Sequence, residues 1–304
     1  MILAGITLFN PDVARLEENI SSIYGQVDRV ICVDNGSDNI KSIEDCVLKN
    51  WKNITIIKNG KNEGIAKALN QMFEFAIEQQ YEYVLTLDQD SVCPDNIIEE
   101  YNKYLDEHKL GSLCPQCVDR NFKSELNNED VIEVDKCITS ASLVPVSAWN
   151  DVGGFNEELF IDFVDHDFCA KLKEHGYRIL QIGSVKLSHE LGKGKKYSIL
   201  GVKFTALNHS AMRKYYMVRN WIYYMNEHKD IINLKAEKKS YKLFFFKTLI
   251  FEDDKLKKMK QMLKGRRDGI ELIRTRSAHG HEGGREVRPR RLRRFGGASC
   301  RFQR

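Results

Sequence analysis

Tyr83-Val-Leu-Thr-Leu-Asp-Gln-Asp-Ser91 is the stretch on which the reading of this chain turns. An apolar run, Tyr83 to Leu87, ends in two carboxylates spaced i and i+2, Asp88 and Asp90. Strand side chains at that spacing point to the same side, and open α/β sheets bind ligands at the carboxyl ends of their strands. Two carboxylates there make a hard anionic site suited to a divalent cation, Mg²⁺ or Mn²⁺, that holds a phosphate-bearing ligand. A solvated acidic turn has the same local sequence, so the rest of the chain has to decide.

Upstream, strand and helix patterns alternate. Ile2 to Phe9 reads as a buried strand, and Pro11 opens an amphipathic helix with Val13, Leu16, Ile20 and Ile23 on its apolar face. Arg29 to Val33 is a second strand, closed by the turn Asp34-Asn-Gly-Ser37, and Asn53 to Ile57 a third. The turn-rich loop Asn59-Gly-Lys-Asn-Glu-Gly64 leads into a helix from Ile65 to about Gln79, with Ala66, Leu69, Phe73 and Ile77 on one face. Strands separated by helical patterns predict an α/β fold, a mostly parallel central sheet flanked by helices.

Downstream, the pattern predicts a helix from Pro94 to about Glu107, a strand near Leu113 and two strands within Val131 to Pro145. A short helix over Ser147 to Val152, a helix over Phe163 to His175 and two short strands within Arg178 to Ser188 follow. From His209 the pattern is helical to about Lys264. The expected organisation is a catalytic domain over 1–208, a helical extension over 209–273 and a tail over 274–304.

The formal charge of +4 hides two compositions. Residues 274–304 hold ten Arg, no Lys and two Glu, a net of +8 that leaves −4 for residues 1–273, where 29 Lys stand against 8 Arg. This abrupt swap reads as a change of genetic origin, and a segment without apolar periodicity is expected to be disordered and non-native. No aromatic residue interleaves within the run Arg288-Pro-Arg-Arg-Leu-Arg-Arg294 to stack on bases, so no nucleic-acid partner is expected. The eight Cys follow no secretory signal, and no run of 18 apolar residues exists, so a reducing cytosol with free thiols is expected. Cys114-Pro-Gln-Cys117 lacks a second pair and reads as strand cysteine rather than zinc site.

Four groups fall at plausible places around one cleft. Asp34 at the end of the second strand suits a base or ribose, or merely an Asx-type turn. Asp88 and Asp90 form the second group. Asp165 and Asp167, two apart at a helix start, suit either a cap or a general base. His189, in Ser188-His-Glu-Leu-Gly192, suits a third ligand to a divalent ion.

These motifs, in this order, resemble glycosyltransferase family 2, and within it the bacterial rhamnosyltransferases that build O-antigen and capsule glycans. The likeness covers about residues 1–273. It is carried by Val33-Asp-Asn-Gly-Ser37, Asn62-Glu-Gly-Ile-Ala-Lys-Ala-Leu-Asn70, Leu87-Asp-Gln-Asp-Ser91, Thr139-Ser-Ala-Ser142, Gly153-Gly-Phe155, Phe160-Ile-Asp-Phe-Val-Asp165, Ser188-His-Glu-Leu-Gly192 and Arg213-Lys-Tyr-Tyr-Met-Val-Arg-Asn220. The resemblance implies a GT-A-type nucleotide-sugar-binding fold. It implies that Thr7 and Asp34 contact the nucleoside, and that Asn62, Gly64 and Lys67 belong to the nucleotide-sugar site. Asp88 would lie near ribose or metal, Asp90 would bind the metal, and His189 would help at the metal or diphosphate. Asp165 would be the base, or Asp167 instead, since many relatives carry Glu-Asp where this chain has Val164-Asp165. Arg213, Tyr216 and Arg219 would lie near diphosphate or acceptor.

The implied activity is inverting transfer of rhamnose from dTDP-rhamnose to a hydroxyl of a bacterial surface-glycan precursor. The alternatives are a UDP-hexose-dependent transferase or a non-catalytic nucleotide-sugar-binding subunit of a glycan assembly complex. The expected place of action is the cytoplasm, at or near the inner membrane face, on a glycan acceptor that such an address allows to be lipid-linked. Lys242-Leu-Phe-Phe-Phe-Lys247 and Lys255-Leu-Lys-Lys-Met-Lys-Gln-Met-Leu-Lys264 suit a peripheral membrane contact, packing on the domain, or the second subunit of a homodimer. Apolar helix stripes usually meet a core, which favours packing.

Overall fold

A computed structural model describes residues 1–119, 130–189, 195–199, 202–206 and 208–280, with side chains left undescribed at 118–119, 188–189, 195–199, 202–206 and 277–280. The amino-terminal part alternates as the sequence predicts. Its elements are β1 (Ile2–Leu8), α1 (Val13–Tyr24), β2 (Arg29–Asp34), α2 (Ile40–Asn50), β3 (Ile54–Lys58), α3 (Ile65–Glu78) and β4 (Tyr83–Asp88). Next come α4 (Ile97–Asn102), β5 (Leu110–Asp119), β6 (Val131–Glu133), β7 (Ser142–Pro145), α5 (Val146–Asp151), a 3₁₀ turn (Glu157–Leu159), α6 (Val164–Glu174) and β8 (Arg178–His189). A two-stranded hairpin, β9 (Lys195–Ile199) and β10 (Val202–Ala206), precedes three helices, α7 (Ala211–Glu227), α8 (Leu234–Phe251) and α9 (Lys255–Gly280).

The sheet is mixed, in the order β3-β2-β1-β4-β7-β5-β8-β6. The block β3-β2-β1-β4 is parallel, β7 runs antiparallel to β4 and β5, and β6 runs antiparallel to β8. Alternation along β1 sorts its side chains into two cores. Ala4, Ile6 and Leu8 pack with Leu16, Ile20 and Ile43 of α1 and α2, while Leu3 packs with Leu69, Met72 and Phe73 of α3 on the other face. A buried run covered by helices on both sides is what a parallel sheet requires.

Four readings change. The helix expected from Pro94 to about Glu107 is only α4, Ile97–Asn102, and turns follow it. Arg178 to Ser188 is one strand rather than two, because β8 pairs with β5 along its length and absorbs the irregularity in register shifts. The β9–β10 hairpin has no counterpart in the sequence reading. The helical extension does not end at 273: α9 continues to Gly280, and Arg276 donates to Glu158 Oε2 at 2.7 Å and to the Tyr223 hydroxyl at 2.8 Å. Residues 281–304, the rest of the expected tail, lie outside the described residues.

The helices α7 and α9 approach closely because α9 carries glycines where they touch. A Cβ at Gly269 would sit 2.7 Å from the Arg219 carbonyl oxygen, and one at Gly265 would collide with that of Tyr215. Among the described residues, no helix is long and apolar enough to cross a membrane.

Candidate active site

The parallel block brings the first expected residues together by register. Thr7 lies beside Asp88 and next to Val33, and Leu8 lies beside Asp34, so β1, β2 and β4 end together. Thr7 Oγ1 is buried with no hydrogen-bond partner among the described residues. An unmet buried hydroxyl costs about 1–3 kcal/mol, so a ligand group is the natural partner. Asp34 makes the Asx-type turn: its carboxylate accepts from Gly36 N at 3.1 Å and Ser37 N at 3.1 Å. Two carboxylate oxygens offer about four lone-pair sites, so the turn leaves acceptor capacity.

Asp88 is the last residue of β4, and Gln89-Asp90 turns away from the strand. The strand alternation that put both carboxylates on one side therefore stops at Asp88. Asp88 lines a cavity, whereas Asp90 is exposed and outside that lining. His189 closes β8, but its side chain lies outside the described residues. Among the described residues no group of three His, Cys, Asp or Glu side chains gathers to hold a metal ion. The pair at the end of β4 still fits Mg²⁺ or Mn²⁺ chemically, since such ions bind through one or two carboxylates together with substrate phosphates and water.

Asn62 and Gly64 build the entry to α3. Asn62 Oδ1 accepts from Gly64 N at 3.0 Å, and Ile65 N donates to the Phe160 carbonyl at 2.7 Å. Gly64 has φ of +88°, and a Cβ there would meet the Phe160 ring at 2.6 Å, so both conformation and space demand glycine. Lys67 pairs with Glu157 at 3.7 Å. None of these three lines the cavity.

That cavity, of about 740 Å³, lies between the sheet's edge at Asp88, the start of α6, and helices α7 and α8. Asp165, in the first turn of α6, is on its wall and accepts only from the adjacent His166 N at 2.9 Å among the described residues. Its neighbour in sequence behaves oppositely. Asp167 is fully buried, accepts from His228 Nε2 at 2.9 Å and pairs with Lys171 at 3.0 Å. Burial pushes its carboxyl up, but the Lys171 and His228 charges outweigh that and hold it below the usual carboxylate value. Asp167 is thus an occupied structural carboxylate, against its expected place as an alternative base.

The segment before Asp165 is strained. Phe160, Asp162 and Phe163 have φ of 61°, 62° and 65°, a left-handed conformation that costs non-glycine residues of order 1–3 kcal/mol each. The α7 residues expected near diphosphate or acceptor are what hold it. Arg213 grips Asp162 through both carboxylate oxygens at 2.9 and 3.1 Å. Arg219 donates to the Glu158 and Leu159 carbonyls, and Tyr216 stacks on Phe160 at 5.1 Å. Of the three, only Arg213 also lines the cavity.

The decisive residue is Asn220, fully buried, whose two amide N–H groups are shared among the carbonyls of Leu159 at 2.7 Å, Ile161 at 2.8 Å and Asp162 at 2.9 Å. In the sequence Asn220 only closes the motif that begins at Arg213, with no role of its own.

The far wall is aromatic: Phe163, Trp221 and Phe244 line it, with Trp221 fixed by donating to Glu237 Oε2 at 2.7 Å. His166 is also on the wall, and its Nδ1 is buried without a partner among the described residues. Burial and then the Arg213 charge pull His209 down to about 4, so it faces the cavity neutral at pH 7. Burial likewise lowers the Lys214 ammonium, which Glu252 at 2.5 Å opposes. Phe163, Phe244 and Lys214 entered the sequence reading only inside longer motifs and none of the wall residues just named was assigned a role there, since nothing local marks a wall.

Comparison with known proteins agrees with this geometry. The chain is 27% identical over 290 residues, 90% of its length and 96% of the relative's, to dTDP-rhamnosyl transferase RfbF of Shigella flexneri. In fold it matches S. aureus TarS 1–349 in complex with UDP-GlcNAc, with a TM-score of 0.59 and 16% identity over 90% of this chain and 81% of that one. It also matches the mannosyltransferase PcManGT of Pyrobaculum calidifontis in complex with GDP-Man and Mn²⁺, with a TM-score of 0.56 and 14% identity over 92% of this chain and 80% of that one. The fold is of the GT-A type. The family model for glycosyl transferase family 2 matches residues 4–169, more than half of the chain, and the protein is a glycosyltransferase of that family.

Proposed function

We propose that this enzyme transfers rhamnose from dTDP-rhamnose, with inversion, to a hydroxyl of a glycan acceptor, with Asp165 as the general base. The observation that carries the reading is a carboxylate without an ion-pair partner among the described residues, on the wall of a cavity that Asp88 also lines. The donor's nucleoside belongs at the shared ends of β1, β2 and β4, where the Thr7 hydroxyl lacks a partner among the described residues. The dTDP-rhamnose assignment is supported by the relative's name and extent of likeness.

In this arrangement the acceptor hydroxyl approaches the anomeric carbon from the cavity side. The carboxylate of Asp165 takes the hydroxyl proton as the new bond forms, and the diphosphate leaves from the opposite face. One displacement inverts the centre, the logic by which two-sided glycoside chemistry inverts. Positioned proton removal contributes about 10²–10⁴-fold. Trp221 and Phe244 offer apolar faces against which an acceptor sugar ring can lie. Asp88 and Asp90, joined by His189, would hold Mg²⁺ or Mn²⁺. When bound, such an ion supplies charge that stabilises the departing diphosphate.

The test is a panel of nucleotide sugars with wild type and two variants. Asp165→Asn should bind donor normally and lose about 10²–10⁴-fold in turnover. Asp90→Ala should lose transfer while its melting temperature stays unchanged. A preference for a UDP-hexose over dTDP-rhamnose would redirect the donor, and near-normal turnover by Asp165→Asn would sink the base.

A further inference from the structure

The outward face of α8 has no role in the reaction. Ser240, Phe244 and Lys247, spaced i, i+4 and i+7, line the cavity. Leu243, Phe246 and Ile250, spaced i, i+3 and i+7, form the adjacent stripe at about 100° per residue. The side chains of that stripe are exposed by 44%, 53% and 43%, and Leu249 beside them by 49%. Packing on the domain, the favoured sequence expectation for this segment, therefore holds for only part of the helix. Four large apolar groups close together on one exposed helix are unusual in a soluble surface and mark a docking face.

Along the helix itself the charges beside this face are basic, and the exposed acids Asp253 and Asp254 come only past its carboxyl end. Helix α8 carries five lysines, of which Lys235, Lys238, Lys239 and Lys242 are exposed. Its one acid, Glu237, is taken by Lys136 and by the Trp221 indole. An apolar stripe flanked by lysines matches a surface that is anionic outside and apolar beneath. A second copy using the same patch would set lysines against lysines, since a two-fold contact is self-complementary.

We propose that α8 docks this enzyme on an anionic lipid bilayer, with Leu243, Phe246, Leu249 and Ile250 entering the headgroup boundary and Lys239 and Lys242 meeting lipid phosphates. The same helix then forms a wall of the cavity and the contact with the membrane. An acceptor anchored in that bilayer would be held next to Asp165's cavity rather than delivered from solution. This docking is independent of the donor and base assigned above, because it is read without turnover.

The experiment is sedimentation of the full chain with vesicles of phosphatidylcholine alone or with phosphatidylglycerol. The arginine-rich segment beyond residue 280 is the same in every variant, so differences report on α8. Wild type should sediment with the anionic vesicles and not with the neutral ones. Phe246→Ser/Ile250→Ser should weaken that binding at least about 10-fold through lost apolar burial. Lys239→Gln/Lys242→Gln should weaken it by about fivefold or more at low salt. Both variants should keep the wild-type melting temperature, since these side chains are exposed. Wild-type vesicle binding by Phe246→Ser/Ile250→Ser would overturn the proposal. So would light scattering that shows a wild-type dimer, made monomeric by that variant with vesicle binding unchanged.

Discussion

Asn220 shows how much one side chain can be asked to hold. Its amide faces three carbonyls of a segment in which Phe160, Asp162 and Phe163 are left-handed. Removing it leaves buried carbonyls unmet, at about 1–3 kcal/mol, and frees the segment that leads into Asp165. Asn220→Ala should lower the melting temperature and reduce kcat by about 10- to 100-fold, the cost of misplacing a reacting group by about an ångström. Donor affinity should change little. A kcat fall with donor binding equally impaired would instead place Asn220 at the donor.

A second residue-scale prediction concerns pH. Both ring nitrogens of His228 face carboxylates, Asp167 at 2.9 Å and Glu174 at 2.8 Å. Two acceptors call for the doubly protonated ring. Burial alone lowers the imidazolium, yet the hydrogen bonds and charges of these two acids win and raise it above the ordinary 6.5. A raised value means that the stabilisation is complete below the ordinary value and fades as pH climbs through the folded one. Asp167, held below its ordinary 3.8, contributes above that value and fades only in acid. The melting-temperature gap between wild type and His228→Gln should therefore shrink as pH rises through the range above the ordinary 6.5. A gap flat across that range would contradict the charged assignment.

At the scale of elements, the extension is fixed to the catalytic domain by helix-to-loop and helix-to-helix contacts. Helix α7 meets the 158–163 segment through Arg213, Tyr216, Arg219 and Asn220, and meets α9 at two glycines. A side chain at Gly269 has to displace backbone, which cannot yield as a flexible side chain does. Gly269→Val should cost about 1–3 kcal/mol by overpacking and reduce turnover by loosening α7. Denaturant melts of this variant, with turnover at equal folded fraction, check both. Both glycines lie just past Lys264, where the expected helical pattern ends, and the helix instead runs through them to Gly280.

At the scale of the whole molecule, the boundary at 273 is testable. Arg276 ties the end of α9 to Glu158 and Tyr223, its guanidinium lying 5.1 Å from the Tyr223 ring. These contacts are partly exposed, and such pairs are worth about 1 kcal/mol or less. Ending the chain at residue 280 should leave the melting temperature unchanged, whereas ending it at 273 should lower it by roughly 2–4 °C. Equal melting of both truncations would restore the earlier boundary.

The sequence by itself determined the sheet's parallel half, the places where its strands end, and the order of motifs that marks the family. Those signals are local: apolar runs, helical periodicity, turn residues, and carboxylates at strand and helix ends. Only the tertiary structure decided which carboxylate is free. Asp165 and Asp167 are two residues apart and indistinguishable by type, but α6 turns one to the cavity and the other to His228, sixty-one residues onward. It also set Arg213 and Arg219 against the strained loop, and left one face of α8 bare. Each of these depends on what lies across from a side chain in space, and periodicity along a chain says which residues share a face without saying what that face meets.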